Sequence, residues 1–164
     1  MKRKMIGLLI AGIVGAGPVL GTMAHAADEH SHGHADAVHV LKLNDGRKWA
    51  SDEPLRASMM KIRDAVDVAL PAMHRGDLDV ARYDALGGEI EAQVANIVQN
   101  CKLDPQADEV LHAILAELLE GNEKLQGKDA KTERSAGVVQ VVRSLDQYEN
   151  HFEHAGFEAP RIGH

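Results

Sequence analysis

Apolar residues recur every three or four positions in four separate stretches of the chain after residue 50. In the first stretch the steps alternate between four and three, a heptad pattern that predicts an amphipathic helix. Its apolar face consists of Leu55, Met59, Ile62, Val66, Ala69 and Met73. We predict Ser51 as the N-cap, because its hydroxyl can bind a free backbone N–H group of the first turn. Asp52 and Glu53 follow, where the helix dipole favours negative charge.

The second helix is predicted to begin near Asp77 or Asp79 and to end at about Cys101. Its apolar face consists of Tyr83, Ile90, Val94, Ile97 and Cys101. Gly87 and Gly88 lie inside it and weaken it by about 1 kcal/mol each relative to alanine. These glycines therefore indicate a close approach between helices, a bend, or space for another group.

The third helix is predicted to begin after Asp104, with Pro105 in its first turn, and to end at Gly127. Its face is the widest in the chain and consists of Ala107, Leu111, Ile114, Leu115, Leu118, Leu119 and Leu125. The fourth helix is predicted to begin near Asp129 or Thr132. Its face consists of Val138, Val141, Leu145, Tyr148 and Phe152.

Four helices joined by short linkers predict an all-α fold, an antiparallel up-down-up-down four-helix bundle with a flexible N-terminal arm. We assign residues 51–157 to the bundle and residues 158–164 to a C-terminal tail. Residues 27–50 then form a histidine-rich flexible leader followed by a short extended arm with an "NDG" turn, a sequence typical of tight hairpins.

Residues 1–26 have the order of a secretory signal peptide. Three basic residues, Lys2 to Lys4, precede an apolar run that ends at Leu20, and two small residues, Ala24 and Ala26, follow. The run is shorter than the roughly 20 residues that a membrane span requires. We therefore expect cleavage after Ala26, export to the periplasm and no membrane association afterwards.

The mature chain is acidic. Removing 26 residues from 164 leaves 138, and removing the three basic signal residues from 18 leaves 15 Lys and Arg against 25 Asp and Glu, a formal charge of −10. Nucleic-acid binding is not expected, because phosphate recognition requires a basic surface. The single cysteine, Cys101, has no partner for an internal disulfide.

The sequence contains none of the common catalytic patterns: no "GxSxG", no "HExxH", no "CxxC" and no glycine-rich phosphate loop. It also lacks the "CxxCH" attachment of c-type heme. We therefore expect a protein that is not an enzyme.

Histidines are concentrated immediately after the expected cleavage site. His30, His32, His34 and His39 lie within ten residues. Alternating neutral imidazoles can bind Zn(II) or Cu(II) without a folded scaffold. The sequence therefore predicts copper or zinc binding by this segment.

A second group of potential ligands depends on the bundle topology. If the helices alternate in direction, Met59, Cys101, His112 and His151 all lie towards the end of the bundle from which the leader emerges. Thiolate, thioether and imidazole groups suit copper(I), and cysteine with histidine also suits zinc. Each of these residues also has an ordinary interpretation as a core or boundary residue.

Two other functions fit part of the pattern. Met59 with His151 or His154 resembles the ligand arrangement of bundle proteins that carry heme b. A structural or interaction protein without a ligand, monomeric or homodimeric, fits the wide face of the third helix.

Three stretches carry a resemblance to a known family. They are "LNDGRKWASDEPLRASMMKIRDAV", "VANIVQNCKLDPQADEVLHAILAELL" and "VVQVVRSLDQYENHFEH". In these stretches the chain resembles the small exported DnrO proteins of denitrifying and related bacteria, from about residue 40 to residue 157. The resemblance implies a link to nitric-oxide response and denitrification. It implies no activity and no ligand set.

Overall fold

The computed structural model describes residues 41–162, and the fold of these residues is all-helical, as the sequence predicts. Their four helices are α1 (Glu53–His74), α2 (Val80–Asn100), α3 (Pro105–Leu125) and α4 (Arg134–His151). None of these helices has the length and apolar character needed to cross a membrane. Isolated β-bridges occur in this part of the chain, but no strand.

Aspartates cap the first three helices. Asp104 caps α3, as predicted. Asp79, one of the two predicted starts of α2, accepts a hydrogen bond from the backbone of Arg82 at 2.8 Å. The predicted cap of α1 is wrong by one residue, because Asp52 accepts from the N–H of Leu55 at 3.0 Å. The hydroxyl of Ser51 instead donates to the carbonyl of a residue after α4, Glu153.

The fourth helix begins later than the sequence predicts, at Arg134. The Asp129 carboxylate accepts from the backbone of Lys131 at 3.0 Å and from the Thr132 hydroxyl. These bonds close a turn on the aspartate side chain, a local structure that competes with helix initiation. The predicted end of α3 is confirmed, since Gly127 follows it with a φ of +72°.

The predicted apolar faces form the core. All their members on α1 to α4 are buried except three: Met73 and Cys101 are partly buried, and Leu119 is 36% exposed. Leu119 directly follows Leu118, which is fully buried. Neighbouring residues on a helix point about 100° apart, and Leu119 lies at the edge of the buried face, where it is partly in solvent.

The most extensive contact between helices joins α3 and α4. It depends on two glycines, Gly121 and Gly137. A Cβ atom on Gly137 would lie 2.5 Å from the carbonyl oxygen of Gly121 and 2.8 Å from the Cα of Leu125. Because these neighbours are backbone atoms, the helices can pack at this distance only when residue 137 lacks a side chain. A Cβ on Gly121 would make a tight contact, 3.0 Å from the carbonyl oxygen of Gly137.

The NDG turn predicted before α1 is present. Asn44 and Arg47 exchange two backbone hydrogen bonds of 2.8 and 2.9 Å. Asp45 and Gly46, between them, both have positive φ, at 49° and 81°. This is a type I′ turn, the tight reversal that suits a two-residue hairpin.

After α4, residues 152–162 fold back along that helix; we call them the C-terminal strap. The chain reverses at Gly156, whose φ is +79°. The backbone N–H of Ala159 then donates to the Glu149 carboxylate at 2.8 Å, and Arg161 lies 3.8 Å from Asp146. Residues expected to form a tail thus contact α4, and Ala159 is 4% exposed.

The α3–α4 crossing can be tested with a pair of glycine substitutions. We expect Gly137→Ala to lower the free energy of unfolding by about 1–3 kcal/mol, because the added methyl group overpacks the crossing. Gly88→Ala should raise it by about 0.5–1 kcal/mol, because a Cβ there has no atom within 4 Å and alanine favours the helix. Urea unfolding followed by circular dichroism measures both changes. If the two substitutions changed the free energy of unfolding by the same amount, the close packing at Gly137 would be contradicted.

Candidate functional site

One end of the helices brings together the arm, the start of α1, the end of α2 and the end of α4; we call it the Trp49 junction. The backbone N–H of Trp49 donates to the carbonyl of His151 at 2.7 Å, and the N–H of Glu153 donates to the carbonyl of Trp49 at 2.8 Å. The indole N–H of Trp49 donates to the carbonyl of Lys42 at 2.7 Å. Trp49 is 7% exposed, so it fastens the arm to the end of α4.

Asp52 joins two helices at this junction. Besides capping α1, its carboxylate accepts from the N–H of Lys102 at 2.6 Å and from the thiol of Cys101 at 3.4 Å. Burial pushes the pKa of Asp52 upward, but hydrogen bonds from Lys102 and Leu55 outweigh it and the pKa falls below 3.8. The carboxylate is therefore charged at neutral pH.

The same contact keeps the Cys101 thiol protonated. Burial, followed by the hydrogen bond and negative charge of Asp52, raises the pKa of Cys101 to about 12. Thiolate is the form that binds metal ions and acts as a nucleophile. Cys101 is therefore poorly suited to both roles in this arrangement.

The other ligands predicted at this end of the bundle differ in their surroundings. Met59 is 0% exposed and belongs to the core, as its ordinary interpretation predicts. The His112 side chain is 70% exposed and its Nδ1 lies 2.9 Å from the carbonyl oxygen of Asp108 on the same helix. His151 is half-buried, with its Nδ1 2.7 Å from the carbonyl oxygen of Gln147.

Among residues 41–162, no three or more His, Cys, Asp or Glu side chains are grouped so as to hold a metal ion. Cys101 and His151 both lie at the Trp49 junction, but Cys101 is bonded to Asp52. A metal site shared by the predicted bundle residues therefore has no support in this part of the chain. The leader histidines, His30, His32, His34 and His39, lie outside the described residues.

Two adjoining surface grooves, of about 570 and 400 Å³, meet at the Trp49 junction. Both are lined by Trp49, Asn44 and Gln106. Neither groove is lined by Met59 or His151, so neither provides a heme pocket next to these two predicted ligands. The grooves were missed from the sequence, although a lone tryptophan beside an NDG turn was a signal for a packed arm.

A polar contact between α2 and α3 explains one of the two central glycines. Asn122, 1% exposed, donates to the carbonyl of Gly87 at 3.2 Å. A Cβ on Gly87 would lie 2.5 Å from the Cγ of Gln126, whereas one on Gly88 would meet nothing within 4 Å. Gly87 therefore leaves space for the side chain of Gln126, and space for another group is one of the interpretations that the sequence left open.

No protein-family model, curated protein or solved structure matches this chain. The resemblance to the DnrO proteins therefore stays a prediction from the three sequence stretches.

The coupling of Asp52 to Cys101 can be tested by alkylation with iodoacetamide near neutral pH. We expect the Cys101 thiol to react at least about a hundredfold more slowly than an unstructured thiol, because so little thiolate is present. Asp52→Asn should speed the reaction, because it removes the negative charge that raises the thiol pKa. Asparagine still caps a helix well, so the fold should be retained.

Asp79→Asn is the matched control for this experiment. It changes another N-cap aspartate, at the start of α2, whose carboxylate accepts from Arg82. The alkylation rate of this variant should equal that of the parent. If Asp52→Asn also reacts at the parental rate, the carboxylate does not control the thiol.

Proposed function

We propose that this protein is an exported, non-catalytic four-helix bundle that binds copper or zinc through His30, His32, His34 and His39. The observation that carries the proposal is the spacing of these histidines in the sequence, four within ten residues. Neutral imidazole is a good ligand for Zn(II) and Cu(II), and a histidine with an ordinary pKa near 6.5 is largely neutral at pH 7.

The proposal includes an antiparallel up-down-up-down order of the helices. Four contacts support it, because each joins the start of one helix to the end of another. They are Asp52 with Lys102, Gly87 with Asn122, Gly137 with Gly121, and Trp49 with His151. Short connections between consecutive helices favour the same order.

We assign the metal to the leader because the ligands predicted on the helices are engaged in contacts within the bundle. Met59 fills the core, and the Cys101 thiol is held protonated beside Asp52. The Nδ1 of His112 lies close to Asp108, in the preceding turn of its own helix. The bundle then serves as the folded part from which a metal-binding segment extends.

Export to the periplasm is part of the proposal and rests on the order of basic, apolar and small residues in residues 1–26. The resemblance to DnrO proteins supports a role in nitric-oxide or denitrification physiology.

Calorimetric titration of the mature protein with Zn(II) and Cu(II) tests the assignment. We expect deletion of residues 27–39 to weaken binding at least about tenfold, which corresponds to about 1.4 kcal/mol. Replacing His30, His32 and His34 by asparagine should have a similar effect, because it removes the imidazoles and keeps the segment. Binding should also weaken as the pH falls below about 6.5, because protons compete for imidazole.

A double variant with His74→Asn and His112→Asn is the matched control, since both histidines are exposed on helices. It should bind metal like the parent. The proposal fails if the leader variants bind as tightly as the parent, or if the mature protein binds no more tightly than an unrelated helical bundle. Elemental analysis of protein purified from its native source identifies which metal is carried.

A further inference from the structure

The four helices form two consecutive pairs that are built alike; we call α1 with α2 the first pair and α3 with α4 the second pair. In each pair an aspartate caps the first helix, a proline lies in its first turn, and a glycine with a φ of +72° follows it. The second helix of each pair ends at a residue with extended backbone, whose N–H donates to the carbonyl four residues earlier. The equivalent residues are Asp52 and Asp104, Pro54 and Pro105, Gly76 and Gly127, and Cys101 and Phe152.

The buried positions of the two pairs also correspond. The two aspartate caps are 104 − 52 = 52 residues apart. With this shift, seven of the eight buried residues of α1 fall on buried residues of α3, as Leu55 falls on Ala107. The residues that end α2 and α4 are 152 − 101 = 51 residues apart, and with this shift six of the seven buried residues of α2 fall on buried residues of α4, as Ile97 falls on Tyr148. The two pairs therefore share one pattern of buried positions.

Each pair makes more contacts between its own two helices than with the other pair. The contact of α3 with α4 is the most extensive, and that of α1 with α2 is the next. The contacts between the pairs, α2 with α3 and α1 with α4, are smaller. Each pair is therefore a structural unit. A second copy of the chain carries the same two units and can supply every contact that one pair makes with the other.

The connection between the pairs, residues 101–104, is short and is tied to both of them. Lys102 is held by the first pair, because its N–H donates to the Asp52 carboxylate at 2.6 Å. Asp104 is held by the second pair, because its side chain accepts from the N–H of Gln106 at 2.9 Å. Leu103 lies between these two ties, so the chain can change direction there while both helix caps are kept. A short connection between two packed units favours the exchange of identical units between chains.

We propose that two copies of this chain form a homodimer by exchanging helix pairs, so that the first pair of each copy packs on the second pair of its partner. Contacts between the pairs, such as that of Trp49 with His151, then join two chains with the geometry that they have within one chain. Because both forms make the same contacts, the connection and the protein concentration determine the balance between monomer and dimer. The proposal concerns the four helices and does not depend on metal binding by the leader.

Two ion pairs between the helix pairs make the exchange testable. Asp84 lies 2.7 Å from Arg134, and Glu91 lies 3.2 Å from Lys128; both acids belong to the first pair and both bases to the second. One variant carries Asp84→Lys with Glu91→Lys, and the other carries Lys128→Glu with Arg134→Glu. In a monomer, each variant places like charges opposite each other. In an exchanged heterodimer of the two variants, opposite charges meet at both interfaces.

The test is to unfold the two variants in urea and to refold them together at low salt, where charge repulsion is weakly screened. We expect native mass spectrometry to show at least about tenfold more heterodimer than either homodimer. Circular dichroism should show the helix content of the parent. The heterodimer should also persist on size-exclusion chromatography in about 1 M salt, because its core is shared between the chains. A heterodimer that dissociates there is held by surface charge, and the proposal is then wrong.

Asp146→Lys and Arg161→Glu, in separate chains, are the matched control variants. They reverse the charges of an ion pair that lies wholly within the second pair and its strap, so exchange cannot bring the two substitutions together. Refolding these variants together should give no excess of heterodimer over random combination. The parent, refolded at high concentration, should itself give a dimer with unchanged helix content. A parent that stays monomeric, no heterodimer excess in the test variants, or an equal excess in the controls overturns the exchange.

Discussion

The close crossing of α3 and α4 is the constraint on which the arrangement of this fold depends. Gly121 and Gly137 allow the two backbones to touch, so the position of α4 is fixed at its beginning. Arg134, at that end, then reaches Asp84 on α2 at 2.7 Å. At the other end, the carbonyl of His151 receives the N–H of Trp49. Helix α4 thus ties α2, α3 and the arm together.

The sequence predicts the helices well because their signals are local. Apolar spacing and the caps Asp79 and Asp104 depend on residues within one or two turns. The prediction of the N-cap of α1 was wrong because Ser51 and Asp52 are both residue types that cap helices well. The choice between them depends on Glu153, which lies 102 residues away and accepts the Ser51 hydroxyl.

The candidate site was harder to predict because it depends on contacts between residues that are far apart in the sequence. The sequence shows that Cys101 lies at the end of a helix, but only the folded chain buries the thiol and brings the Asp52 carboxylate to it, and both raise the thiol pKa. Burial likewise decides the role of Met59. The leader histidines need no such partner, because imidazoles that alternate along a chain can act as ligands together. This is why the proposed metal site rests on the sequence alone.

The pairing of Trp49 with the end of α4 also determines where the folded part can be joined to other chains. Its N–H and carbonyl bond to His151 and Glu153, so the chain enters and leaves the four helices at neighbouring points. A domain whose entry and exit adjoin can be inserted into a surface loop of another protein at a small cost in loop-closure entropy.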